Sequence, residues 1–393
     1  MMKKLVLHFD LNRTIVMSDV AGGRSMENTL NYLLSECTYG RVVENKWICV
    51  SKEPSLSPPA PSLITYKKFV DELYPYDTMA SGERDQVKQF NKSQKKQRTA
   101  LQSAFTSGPG SPVLTSYQRV LDNLHFPDGP LRNAAIDAAK SLEASGLKEA
   151  WSAGRYYLLP SFLHFLHYMA TIGREVYITL VLSLFLLENV ELSVVFRTFG
   201  EDITEVAKEL EFLCDGKHPL FLGQTLPDSM RLKPPYATFY RDGFDAQGTV
   251  LALNTLQKVP FHANLTPESF YQADVQITRG FASIQETIEN TLIKDRRVSA
   301  LRDYWEWWSG HAEHAEYGKL LLVTPSEVPS TIFFDDHIEE TDAHIVDVRD
   351  ATTGKPIPFA QAKDVYLKRV EPYYAITDQQ YYIKQVANIL SKL

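Results

Sequence analysis

Three carboxylates stand at the ends of two apolar runs that lie far apart in the chain. Lys4-Leu5-Val6-Leu7-His8-Phe9 stops at Asp10, with Asn12 two places on and Thr14 four places on. Ser330-Thr331-Ile332-Phe333-Phe334 repeats the pattern and stops at Asp335 and Asp336. Short, nearly continuous apolar runs bounded by polar residues read as buried strands of a parallel sheet. In open α/β sheets, ligands bind outside the carboxyl ends of such strands. If the two strands are neighbours, Asp10, Asp335 and Asp336 repel one another unless a cation lies among them. Hard oxygen donors suit Mg²⁺, so the expectation is an acidic divalent-metal site.

A third strand supplies anion-binding hardware. Leu192 to Arg197 leads to Thr198, then Phe199-Gly200-Glu201-Asp202 and the amphipathic stretch Ile203 to Leu213. A hydroxyl at a strand end, followed by a glycine and a helix start, offers free amides and the positive end of the helix dipole to a phosphate.

The runs around Asp10-Leu11-Asn12-Arg13-Thr14 and Phe333-Phe334-Asp335-Asp336 resemble the first and fourth motifs of the haloacid dehalogenase-like (HAD) superfamily of phosphohydrolases. In that family these motifs read Asp-x-Asp-x-Thr/Val and a strand-ending acidic pair. Thr198 answers to the second motif, a Ser or Thr at a strand end, and Lys319 in Gly318-Lys319-Leu320-Leu321 answers to the third, a lysine. The four occur in the family's order and span most of the chain. The resemblance implies an α/β fold with a Rossmann-like parallel sheet flanked by helices. It also implies Mg²⁺ held by Asp10, the main-chain carbonyl of Asn12, Asp335 and Asp336. Asp10 would attack phosphorus as the nucleophile. Thr198 and Lys319, with Arg197 and Gly200, would bind the phosphoryl oxygens of a small phosphorylated metabolite.

One residue departs from the pattern. Phosphatases of the family carry a second Asp two places after the nucleophile, which protonates the leaving group and then activates water. Asn12 stands there, and an amide has no titratable proton at neutral pH. Acid–base help is worth about 10²–10⁴ in rate. Three readings stay open: a slow hydrolase helped by another acid such as Asp19 or a residue of the cap-like insertion, an enzyme acting on an activated phosphate, or a HAD-fold binding or regulatory protein without turnover.

The same resemblance organises the rest of the chain. The α/β core is expected over 1–22, 155–223 and 311–393, a mostly helical cap-like insertion over 23–154, and a second insertion over 224–310. Within these, Ser25 is a helix N-cap, and helices are expected at Lys67–Leu73, Gln86–Phe105 and Ser161–Thr171. Ala237 to Leu253 reads as a β-hairpin around Asp242-Gly243. Phe281–Ile293 is expected to be helical, as is the terminal stretch from Asp378. His164 and His167 share a helix face and are expected to pack rather than ligate, as are the aromatics Tyr304 to Trp308. His311 and His314 lack further ligands for zinc. Lys92, Lys95, Lys96 and Arg98 read as a solvated helix face.

Composition is ordinary for a globular chain: 393 residues, 44% hydrophobic and 23% charged. A net charge of −7 argues against a nucleic-acid partner. The three cysteines, Cys37, Cys49 and Cys214, have no CxxC spacing and suggest reduced thiols in a cytoplasmic setting. The longest apolar stretch, Val176 to Leu187, falls short of the roughly 20 residues that span a bilayer, so a membrane partner is not expected.

Overall fold

The computed structural model describes residues 3–17, 25–77, 84–171, 190–243, 245, 247–260, 265–311, 313–325 and 330–392. Thirteen strands are assigned among them, in chain order β1 Lys3–Asp10, β2 Tyr39–Val43, β3 Lys46–Cys49, β4 Ile64–Thr65, β5 Val190–Thr198, β6 Ala237–Arg241, β7 Thr249–Leu253, β8 Gln276–Arg279, β9 Val298–Arg302, β10 Lys319–Val323, β11 Thr331–Asp335, β12 Val346–Asp350 and β13 Leu367–Arg369. The chain divides into two compact units, one of residues 1–16, 126–370 and 379–393, the other of 17–125 and 371–378.

The first unit is built on an eight-stranded sheet in the order β13-β11-β1-β5-β9-β6-β7-β8. The strands from β13 to β6 pair in parallel, and the hairpin β6–β7 and then β8 add antiparallel partners at one edge. From β1 the chain moves to β5 and out to the edge strands β6, β7 and β8, then fills the gap with β9 and later lays β11 on the other side of β1. That reversal of strand order makes a crevice beyond the carboxyl ends of β1 and β11, where open sheets of this kind bind ligands.

Both faces of β1 are buried, which is why the run from Leu5 to Phe9 is apolar with almost no alternation. On one face Phe9 packs against Phe162, Phe334 and Tyr382, with ring centroids 4.9, 4.6 and 5.6 Å away. These contacts dock the helices Pro160–Thr171 and Tyr381–Leu390. On the other face Val6, Val195, Phe239 and Leu301 form one core with Leu320 and Leu322 of β10. The strands β10 and β12 pair in parallel as a separate ribbon. Period-2 alternation turns Leu321 and Val323 into a second core with Val346, Val348 and Phe333. β10 is thereby fixed between two cores, with its first residue, Lys319, directed at the ends of β1 and β11.

Two expected boundaries differ from the structure. Residues 126–154 belong to the first unit, not to the insertion expected over 23–154. The helix Gly146–Ser152 docks on the helix Ile203–Cys214, with Trp151 edge-on to Phe212 at 5.1 Å and the Leu147 amide donating to Glu205 at 2.9 Å. Residues 224–310 are not a separate insertion either, because β9 pairs with β5 and extends the main sheet. Hydrophobic periodicity identifies a strand but not its neighbour, so this continuity was hidden. The hairpin over Ala237 to Leu253 and the helices at 66–73, 84–103, 160–171 and 381–390 form as expected; Phe281–Ile293 is helical with its last six residues in π geometry.

The second unit gathers the helix Met26–Cys37, capped by Ser25 whose hydroxyl accepts from the Asn28 amide, with Tyr66–Leu73, Arg84–Ser103 and Leu114–Asn123. The small sheet β3-β2-β4 joins them around Trp47, Tyr66 and Phe105. Lys92, Lys95 and Lys96 are exposed as expected, but Arg98 is half-buried and pairs with Asp71 at 2.9 Å. All three cysteines are free. No helix among the described residues is long and apolar enough to cross a membrane. The stretch Val176 to Leu187 and Asp19 lie outside the described residues.

Buried ion pairs tie the sheet to the layer above it. Arg197 of β5 donates to Asp303 at 2.9 and 2.5 Å, to the Leu320 carbonyl at 2.9 Å, and lies 3.2 Å from His8 Nδ1. The imidazole must accept there, since a guanidinium has only donors; burial and the Arg197 charge both hold His8 in the neutral form. Removing one partner of such a pair strands the other charge. Arg197→Met is expected to cost about 3–5 kcal/mol in urea unfolding, and Arg197→Met with Asp303→Leu to recover most of the loss. A single-variant cost near zero would mean the pair does not brace the sheet.

Candidate metal centre

β1 and β11 run side by side with Phe9 opposite Phe334, so the next residues, Asp10 and Asp335, emerge together at the carboxyl edge. The Lys319 ammonium sits between them, donating to Asp10 Oδ1 at 2.5 Å and Asp335 Oδ2 at 2.7 Å. All three side chains are buried. Asp336 follows on the turn out of β11, and its carboxylate meets Arg13 at 3.1 Å and His337 Nδ1 at 3.0 Å. The His337 amide donates back to Asp335 Oδ1 at 2.9 Å, which closes the turn.

The loop after β1 is shaped to reach this cluster. Arg13 adopts a left-handed backbone conformation, φ 63°, which few residues other than glycine favour. The reversal lets its amide donate to the Val16 carbonyl at 2.7 Å, while the Ile15 and Val16 amides both turn back to the Leu11 carbonyl. Thr14 is thereby turned inward. Its hydroxyl accepts from the Asp336 amide at 3.2 Å and stands 3.4 Å from both Asp10 Oδ2 and Asp336 Oδ1. The Tyr382 hydroxyl donates to the Thr14 carbonyl and holds the loop from behind.

Electrostatics divides the acids. Burial drives the Asp10 carboxyl up, Lys319 opposes it, and Asp335 and Asp336 add to the rise, leaving it at about 7. Burial also pushes Asp335 up, but Lys319 and His337 outweigh it and hold that carboxyl well below the usual range. Asp336 is likewise low, with Arg13 and His337 prevailing over burial. His337 would be lowered by burial, yet Asp336 and the hydrogen bonds to both acids raise it to about 10. The difference between Asp10 and Asp335 follows from the number of donors each meets. Asp335 has three donor groups around it, whereas Asp10 has Lys319 and a long contact to Thr14.

Asp335, Asp336 and His337 offer ligand atoms within 4.8 Å of one another. Asn12 Oδ1 is buried with no hydrogen-bond partner, an acceptor that a cation or a donor would satisfy. Asp10 and Asp336 bring carboxylate oxygens to the same Thr14 hydroxyl, 3.4 Å from each, and hard oxygens of this kind suit Mg²⁺. Arg13 and His337 already neutralise Asp336, so a cation there would displace them.

The remaining candidates fall on the adjoining strand. Thr198 ends β5 fully buried, and its hydroxyl accepts from the Gly200 amide at 2.9 Å, which leaves its own O–H to donate. The expectation that Arg197 binds phosphate is corrected: its guanidinium is buried and spent on Asp303 and the Leu320 carbonyl. Gly200 leaves room for a neighbour, since a Cβ there would lie 2.5 Å from Asp202 Oδ2. Sequence reading passed over Arg13, Thr14 and His337 as site residues. The consecutive Asp335-Asp336-His337 was the available signal for the last; nothing local marked Arg13, whose role arises from a loop reversal.

Because a metal-ligating carboxylate must be deprotonated, protons compete with a cation at Asp10 below about pH 7. Mg²⁺ affinity is therefore expected to rise between pH 6 and 8, by up to about tenfold per unit below the Asp10 value. Titration calorimetry at several pH values checks this; pH-independent binding would remove Asp10 from the ligand set.

Compared with known proteins, the chain matches no family model, no curated protein and no solved structure.

Proposed function

We propose that this chain is a Mg²⁺-dependent hydrolase of the HAD-like type that acts on a small phosphorylated metabolite through an aspartyl-phosphate intermediate. The single observation that carries the reading is the meeting of Asp10, Asp335, Asp336 and Lys319 beside the strand-order reversal. A carboxylate used as a nucleophile on phosphorus needs its own charge and that of the phosphoryl group compensated. Lys319 supplies a fixed positive charge at Asp10 Oδ1 and leaves the second oxygen for attack. The divalent ion, when bound by Asp10, Asp335, Asp336 and Asn12, would supply charge neutralisation between the two anions. The Thr198 hydroxyl, at the end of the next strand, would orient a phosphoryl oxygen with the proton it has left to donate. The free thiols accord with a reducing, cytoplasmic setting.

A second reading is favoured by one observation. Lys319, Arg13 and His337 already balance the three acids, and Asn12 has no proton to give. The chain would then be a HAD-fold binding or regulatory protein that holds a phosphorylated ligand without turnover.

Hydrolysis of p-nitrophenyl phosphate, whose leaving group needs no acid, separates the two. The enzyme reading expects turnover with Mg²⁺, loss of turnover on chelation, and a fall to background in Asp10→Asn. Absence of turnover with every divalent cation tried, together with retained phosphate binding, would establish the second reading instead.

A further inference from the structure

We propose that Asp202 is the acid–base catalyst that Asn12 cannot be. The inference rests on the hydrolase reading above and concerns the same site.

Asp202 stands at the start of the helix Ile203–Cys214, where an aspartate ordinarily turns its carboxylate onto the amides of the first helical turn. It makes no such cap hydrogen bond. Its Oδ2 instead faces the loop after β1, where Asn12 Nδ2 donates to it at 3.3 Å. The amide of Asn12 therefore occupies the general-acid position and presents a carboxylate supplied from the neighbouring strand's loop. The same oxygen lies beside Gly200, 2.5 Å from where a Cβ would be, and the Thr198 hydroxyl is 3.3 Å from that spot. Asp202 is thus held between the residue two places after the nucleophile and the residue proposed to orient the phosphoryl group. It is half-buried, so it can exchange protons with solvent. Only glycine at position 200 permits this placement, since any side chain would drive the carboxylate away.

In the first half-reaction Asp10 forms a bond to phosphorus while the ester P–O bond breaks. The electron pair leaves on the alkoxide oxygen, which takes the proton from the Asp202 carboxyl group. In the second, the Asp202 carboxylate removes a proton from water as the water oxygen bonds to phosphorus. The Asp10–phosphorus bond breaks, its electron pair returns to Asp10, and inorganic phosphate leaves. Asn12 is the positioning residue: it holds Asp202 through its amide and carries no proton itself.

The test measures kcat/KM of the full chain with Mg²⁺ across a series of phosphate monoesters, from p-nitrophenyl phosphate to simple alkyl phosphates. Asp202→Asn is expected to lower kcat/KM on alkyl phosphates by about 10²–10⁴ and on p-nitrophenyl phosphate by much less, because nitrophenolate departs without a proton. Adding Asn12→Asp to that variant should restore part of the alkyl phosphate activity, which a merely structural defect would not allow. Gly200→Ala, which displaces the carboxylate without removing it, should steepen the leaving-group dependence in the same direction. An equal loss across the series, or no loss, overturns the role of Asp202 and leaves the hydrolase reading standing. Failure of the unaltered chain to hydrolyse any member of the series, p-nitrophenyl phosphate included, overturns both.

Discussion

One buried ammonium holds the centre together. Lys319 lies between the carboxylates of Asp10 and Asp335 and offsets the burial of both. Desolvating a carboxylate costs several kcal/mol even after relaxation, and the cost is offset only by close, well-oriented partners. That requirement reaches far beyond the site. Lys319 must be delivered at one spot, so β10 is clamped between two apolar cores, and its Leu320 carbonyl is itself held by Arg197 from the sheet beneath.

The same charge arrangement separates acids that look alike in sequence. Asp335 is surrounded by donors and stays ionised, while Asp10 is poised near neutrality by burial and by its acidic neighbours. Two carboxylates on adjacent strands therefore differ in character because of what surrounds them. Along the carboxyl edge, the acids of β11 and β1 give way to the Thr198 hydroxyl of β5 and then to Arg302, which pairs in register with Thr198 at the end of β9.

Much of the fold was legible because burial on both faces leaves a plain trace. The runs ending at Asp10, Thr198 and Asp335 are β1, β5 and β11, and the helix that follows Ser25 carries the expected capping hydroxyl. Pairing was far less legible. Nothing in Val298 to Arg302 says that it lies against Val194 to Thr198, since hydrogen bonding between backbones leaves no residue-specific mark. Arg197 was misread for a similar reason. A charged residue beside a phosphate-binding motif suggests a ligand contact until the partner 106 residues away, Asp303, is seen to consume it.

The sequence by itself determined where strands end in acids and hydroxyls, because apolar runs and their polar stops follow directly from which backbone is buried. It also determined that the position two residues after Asp10 carries no titratable group. The tertiary structure decided which of those ends meet, which cations lie among them, and that a carboxylate from another loop stands against Asn12. Those outcomes depend on strand order and on a loop reversal at Arg13, and both are settled by packing between segments hundreds of residues apart.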